Sequence, residues 1–163
     1  MNLFQLHHII QAAMGWADAH LHDFSLAGKR YTLPRDDDFE IEPVLDERTV
    51  RLDSVLKPSL TFEYQYDFGD SWLHVIRVER AEPIDEPHGA AFIEAGERAC
   101  PPEDAGGVPG YQEFLDQLAD NPRGNDVKEF LRWAGEDFDP NHFDRRAANS
   151  ALLRMAWNGW GVT

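Results

Sequence analysis

The stretch that most restricts this chain is "LTFEYQYDFGDSWLHVIRVER", residues 60–80. Leu60, Phe62, Tyr64, Tyr66 and Phe68 alternate with Thr61, Glu63, Gln65 and Asp67, and a second run of β-favouring residues follows at once. Period-two alternation puts the rings on one face of a strand, and a Gly-Asp reversal between two such runs makes a hairpin. Two registers compete. A two-residue loop, Gly69-Asp70, sets Glu63 opposite Ile76 and turns the aromatic face towards Leu73, Val75 and Arg77. A three-residue loop, Gly69-Asp70-Ser71, pairs Phe68 with Trp72, Tyr66 with His74, Tyr64 with Ile76 and Phe62 with Val78, and sets Glu63 across from Arg77. The second is the better expectation, because it gathers the large apolar side chains on one face and gains an opposite-charge pair on the other.

Tyr64, Tyr66, Phe68 and Trp72 also have the composition of a base-stacking platform. Charge argues against that use: 15 basic residues stand against 30 acidic ones, a formal net charge of −15. Such a surface repels phosphate backbones and anionic lipid, so direct nucleic-acid binding is disfavoured and the stripe reads as core. The basic clusters Lys29, Arg30 and Arg35, and Arg145 with Arg146, read as solvated surface.

Around the hairpin, the chain reads as strands between helices. Asn2 and Gln5 match a capping box, and Leu6, Ile9, Ile10 and Ala13 recur at helical spacing up to Gly15. "HLHDFSLAGKRYTL" reads as a strand, a turn at Ala27, Gly28 and Lys29, and a second strand, with His20, His22, Phe24 and Leu26 on one face. "PRDDDFEIEP", with its acidic triplet Asp36, Asp37 and Asp38, reads as a solvated connection. Residues 81–110 hold five prolines and several glycines, a segment too long for an idle linker and therefore either functional or a well-packed surface loop. Residues 111–119 form a helix with Phe114, Leu115 and Leu118 inward. Asp126 and Glu129 read as the capping pair of a second helix through Phe130 and Leu131 to Gly135. A third starts at Asp139-Pro140 and runs through Phe143, Ala147, Ala151 and Met155.

The expected fold is α+β: one domain over residues 1–163, mainly antiparallel β-hairpins packed with N-terminal and C-terminal helices. A chain of this length, 42% apolar and 12% aromatic, buries a core without disulfide or metal staples. One cysteine, a start without a secretory pattern and no apolar run of about 20 residues give a cytoplasmic expectation, away from membranes.

No phosphate-cradling glycine loop, Gly-x-Ser-x-Gly elbow or His-Glu-x-x-His is present. Cys100 lies before two prolines in "ACPPED", a stretch that holds no basic residue, and reads as buried or inert. What remains is a set of groups suited to a divalent metal such as zinc: His20, His22, Asp67, Asp70 and His74, with Trp72, Glu103 and Asp104 completing the candidate site. Competing with that reading, His74 falls on the aromatic face as a core histidine would, and Asp67 and Asp70 flank a glycine as turn aspartates do. His7 and His8 face different ways on the first helix and read as structural or exposed.

Four stretches in order, "LHHIIQAAMGWADAHLHDF", "YQYDFGDSWLHVIRVE", "ACPPEDAGGVPGYQEFLDQLAD" and "FDPNHFD", resemble the plasmid pRiA4b ORF-3-like family, which includes TnpR-like passenger proteins of insertion elements. The resemblance runs from about residue 3 to about residue 150. It implies an α+β domain of plasmids, transposable elements and chromosomes, and no enzymatic activity comes with it. Family motifs fall on His20, His22, Asp67, Gly69, Asp70, Trp72, His74, Pro101, Pro102, Glu103, Asp104, Gly106 and Gly107. Members commonly begin with an extra strand bearing a Pro-Pro-x-Trp-Arg-Arg-like stretch. This chain starts after it, which implies a displaced start or a lost strand, and with the latter a sheet edge open to self-association. Members often carry cysteine where this chain has Ala105, so a cysteine-based metal site would lack a ligand.

Two functions follow as expectations. One is a mobile-element accessory domain acting through a protein partner. The other is a metal-dependent hydrolase or other small-molecule enzyme built on the His/Asp set.

Overall fold

The computed structural model describes residues 1–35, 44–81 and 91–159. The acidic triplet and the segment 82–90 lie outside them. Helix α1, Leu3–Met14, is followed by strands β1, His22–Leu26, and β2, Lys29–Thr32. A two-residue strand β3, Leu45–Asp46, leads into a turn of 3-10 helix, Glu47–Thr49, and a short helix α2, Leu52–Val55. Then come β4, Thr61–Tyr66, β5, Trp72–Arg77, and three helices: α3, Gly107–Asp120, α4, Asn125–Ala134, and α5, Arg145–Trp157. The five strands form one sheet in the order β3-β2-β1-β4-β5, antiparallel except for the β2 and β3 pair. The mixed α+β class expected from the sequence is the observed one.

Helix α1 is built as its sequence dictates. Asn2 and Gln5 make both bonds of the capping box, and Gly15 ends the helix in the left-handed region at φ 82°. Backbone bonds from Leu3 to Val50 and from Leu52 to Met1 hold its start against the chain after β3. Its most deeply buried residues are Leu3, His7 and Gln11, with Leu6 and Ile10 packed around them. Two polar side chains in that stripe are the first sign of an interior polar network.

The β4 and β5 hairpin keeps the expected faces and changes the expected loop. Tyr66 pairs with Trp72, Tyr64 with His74 and Phe62 with Ile76, so the loop is five residues, 67–71. Glu63 therefore lies opposite Val75 and Arg77 opposite Thr61, and the predicted Glu63 and Arg77 pair does not form. The cause is Asp67. It takes φ +54°, its Oδ1 accepts from Gly69 N at 2.9 Å and Asp70 N at 3.3 Å, and the strand closes two residues early. Because the register shifts by two, the parity is kept: Phe62, Tyr64, Tyr66 and Trp72 are buried together, while Phe68 is thrown outward. With Phe24, Leu26, Tyr31, Leu3 and Trp16 they make the core.

Three smaller expectations are corrected. The β1 and β2 turn is two residues, Ala27 at φ 51° and Gly28 at φ 73°, with Leu26 paired to Lys29, and His20 precedes the strand rather than lying in it. Helix α4 is capped by Gly124, which leaves Asp126 inside the first turn, where it faces the helix dipole instead of capping. Asp139 and Pro140 form a separate turn in which Asp139 accepts from Asn141 N, and α5 starts at Arg145 under an Asp144 cap. Local cap chemistry was present at both aspartates, and only packing chose between them. Among the described residues no helix is long and apolar enough to cross a membrane.

Candidate metal site and the polar interior

Residues 100–107 return to the hairpin tip and dock there. Trp16 stacks on Tyr66 with ring centroids 4.8 Å apart and donates its indole N–H to Pro101 O at 3.0 Å. The Tyr66 hydroxyl donates to Glu103 Oε1 at 2.5 Å and accepts from Ala19 N at 3.0 Å and His20 N at 3.3 Å. Burial pushes that phenol well above its ordinary value, so it stays a neutral donor. Glu103 also accepts from Ala17 N at 3.1 Å, and Asp70 Oδ2 accepts from Gly106 N at 3.0 Å. These bonds join the segment after α1, the hairpin tip and the loop into one platform.

On that platform three ligand-bearing side chains meet. His20 Nε2 lies 3.3 Å from Asp104 Oδ1, and His20 Nδ1 lies 3.7 Å from Asp67 Oδ2. One potential donor atom from each residue falls within 4.8 Å of the other two. Asp67 has already committed Oδ1 to the turn, which leaves Oδ2 for the cluster. Asp67 and Asp104 both hold left-handed backbone, at φ +54° and +55°, and Asp104 is 71% exposed. His20 Nε2 is itself shielded from solvent, and its approach to Asp104 has ion-pair distance without hydrogen-bond geometry, so the nitrogen has no hydrogen-bond partner among the described residues. A buried nitrogen left so costs about 1–3 kcal/mol.

The other candidates part company. Asp70 serves the docking of residue 106, and Glu103 serves Tyr66. Trp72 is core, with its indole N–H shielded and without a partner. His74 donates from Nδ1 to the carbonyls of Trp72 at 3.0 Å and Tyr64 at 3.3 Å, as a hydrogen-bonded histidine of the aromatic face does. His22, grouped with His20 by strand periodicity, goes to the interior instead. At Cys100 burial, aided by the Glu103 charge, pushes the thiol up to about 12, which disfavours the nucleophilic thiolate.

That interior is a polar network the sequence reading missed. Glu47 is 0% exposed, and His22 Nε2 lies 3.1 and 3.0 Å from its two oxygens. The His22 ring stacks on His7 with centroids 3.4 Å apart and planes within 4°. His7 Nδ1 lies 2.8 Å from the Tyr64 hydroxyl, to which Gln11 donates at 3.0 Å, and His7 Nε2 lies 2.8 Å from Asp18 Oδ1. A usable signal was the i, i+4, i+8 row Leu3, His7 and Gln11, a polar pair on the helix face that begins with a core leucine. Nothing in the local sequence pointed to Glu47, which reaches His22 across 25 positions.

Burial holds His7 below its ordinary 6.5 against the opposing bond to Asp18, and burial does the same to His74. A histidine whose folded pKa is depressed takes up protons more readily when unfolded. Its contribution to stability is therefore full above about 6.5 and declines as pH falls below it. The urea midpoint is expected to be lower at about pH 5 than at about pH 7.5, and a flat midpoint across that window would refute the assignment.

Comparison with known proteins agrees with the fold. The profile of the plasmid pRiA4b ORF-3-like proteins matches residues 1–147. A Sinorhizobium fredii protein designated y4hQ, named as uncharacterized, is 40% identical over 158 residues, covering 96% of this chain and 77% of that protein. The crystal structure of MM3350, a protein of unknown function from Methanosarcina mazei Go1, superposes with a TM-score of 0.78 at 34% identity, covering 90% of this chain and 82% of that one. With the family profile spanning the whole sheet and both ends of the docking loop, the chain belongs to the plasmid pRiA4b ORF-3-like family.

Proposed function

We propose that the protein works through a divalent metal ion held by His20, Asp67 and Asp104. The observation that carries this reading is the shielded His20 Nε2, without a hydrogen-bond partner among the described residues, with Asp104 on that side of the ring and Asp67 on the Nδ1 side. One imidazole and two carboxylates suit zinc or manganese. Three protein ligands leave positions for water, and a metal-bound water is acidified enough to attack an ester or amide, so hydrolysis is the reaction class this site serves. Glu103, tied to the same loop, is placed to orient the site through Tyr66.

Elemental analysis of untagged protein prepared without chelator tests this directly. Asp104→Asn takes the charge from a highly exposed side chain at nearly constant shape, so it is expected to leave the fold intact and abolish metal retention at this site, and His20→Ala is expected to do the same. Full retention in both folded variants would sink the reading.

A second reading, an accessory domain acting through a protein partner, is favoured by strand β5. It pairs only with β4 among the described strands and carries Leu73 and Val75 at 55% and 69% exposure. Val75→Lys is expected to abolish concentration-dependent association measured by light scattering. A wild-type chain that stays monomeric at every concentration would count against self-association through this edge.

A further inference from the structure

A second cluster of metal-type ligands stands apart from the first. His7 Nε2 lies 2.8 Å from Asp18 Oδ1, and His8 Nδ1 lies 3.3 Å from Asp18 Oδ2. Neighbours on an α-helix diverge by about 100°, so two adjacent histidines rarely share one partner. Here they do so because the chain turns back after Gly15, buries Trp16 and brings Asp18, at φ 57°, over the helix. Gln11 fixes that return by accepting from Asp18 N at 3.1 Å.

We propose that His7, His8 and Asp18 form a second divalent-metal site, of the zinc type, at the wall of the cavity between α1 and α5. Three features on different elements support it. The donor set is two imidazoles and a carboxylate, the composition of open zinc sites, and one donor atom from each lies within 4.8 Å of the others. Donors bound to one tetrahedral zinc at about 2.0–2.2 Å sit about 3.3–3.6 Å apart, so the His8 and Asp18 atoms at 3.3 Å already have that spacing and the His7 and Asp18 atoms at 2.8 Å must part slightly to admit the ion.

His7 is also held from behind, because its other ring nitrogen meets the Tyr64 hydroxyl, the kind of outer partner that fixes a ligating imidazole. Burial keeps His7 in its neutral, ligating form, and the hydrogen bonds from His7 and His8 outweigh the burial of Asp18 to keep it a carboxylate. Finally, the site is not sealed. His8 and Asp18 line a cavity of about 360 Å³ whose other walls include Trp16, Arg154 and Met155, so an ion there has an open side facing room for a small molecule.

Binding is balanced by a change of tautomer. The single proton that neutral His7 directs from Nε2 at Asp18 moves to Nδ1, towards Tyr64, and that of His8 moves from Nδ1 to Nε2, so each imidazole frees the nitrogen that faces Asp18 for the ion.

The test is a Zn²⁺ titration of the full-length chain by calorimetry, with Co²⁺ absorption as a second readout, on the wild type, His8→Ala, Asp18→Asn and Asp104→Asn. The wild type is expected to take up two equivalents. His8→Ala, which alters a side chain at the cavity wall and spares the interior His7, is expected to lose one of them while Asp104→Asn loses the other. A wild-type uptake unchanged in His8→Ala and Asp18→Asn, with both folded by circular dichroism, overturns the second site. Loss in Asp104→Asn alone leaves the hairpin site standing without it. Loss in His8→Ala alone leaves this site standing and removes the other.

Discussion

Glu47→Ala is expected to destabilise the fold by about 1–3 kcal/mol, the range for leaving a buried polar group without its hydrogen-bond partner. Glu47 is fully buried and both its oxygens face His22 Nε2, so truncation leaves the imidazole with no acceptor in a place water does not reach. The effect should spread, because His22 stacks on His7 and His7 links α1 to Tyr64 and Asp18. Equilibrium urea unfolding gives the loss directly. The pair itself need not be stabilising relative to an apolar replacement. Replacing both residues, Glu47→Leu with His22→Phe, is expected to recover most of the loss, since no polar group is then stranded. A double variant as unstable as the single one would show that packing around Glu47 matters more than its partner.

The second large effect is expected at Gly107→Ala. A Cβ there would stand 2.2 Å from the Asp70 carbonyl oxygen, and Gly107 holds φ +64°, a region costly for any residue with a side chain. Backbone strain alone costs about 1–3 kcal/mol, and here rigid main chain on both sides must also move apart. The consequence lies in function as much as stability. Gly106 and Gly107 are where the loop meets the hairpin tip, and Asp104 is carried by that loop to His20 and Asp67. Metal affinity at the proposed hairpin site should then fall by at least about 10-fold, the loss that follows removal of supporting groups around a metal. Gly28→Ala is the control. Gly28 also has a left-handed φ, +73°, but open space around it, so it should cost stability without touching metal retention. Equal metal loss in both variants would separate the site from the loop docking.

The difference between these two glycines shows how the site was and was not legible. The aromatic alternation of β4 is a property of neighbouring residues, and it fixed which face of the hairpin is buried even though the loop proved five residues long. Parity survives a two-residue slip, and for that reason the core was readable while the Glu63 and Arg77 pair was not. His20 and Asp67 stood out by residue type, and their meeting with Asp104 depends on residues 100–107 folding back onto Tyr66 and Asp70. His20 and His22 looked equivalent by spacing. The strand begins only at His22, and so the two rings serve different places.

The sequence by itself determined the elements whose causes are local: the capping box of α1, its glycine stop, the inward face of the aromatic hairpin and the α+β class. Each follows from backbone sterics or from one side chain's bond to a near neighbour. The tertiary structure alone decided which polar groups are brought together. Glu47 with His22, Asp18 with His7 and His8, and Asp104 with His20 are partnerships across 25, 11 and 10, and 84 positions. No local propensity encodes them, and burying Glu47, His22 and His7 becomes affordable only because the whole fold delivers each of these three a partner.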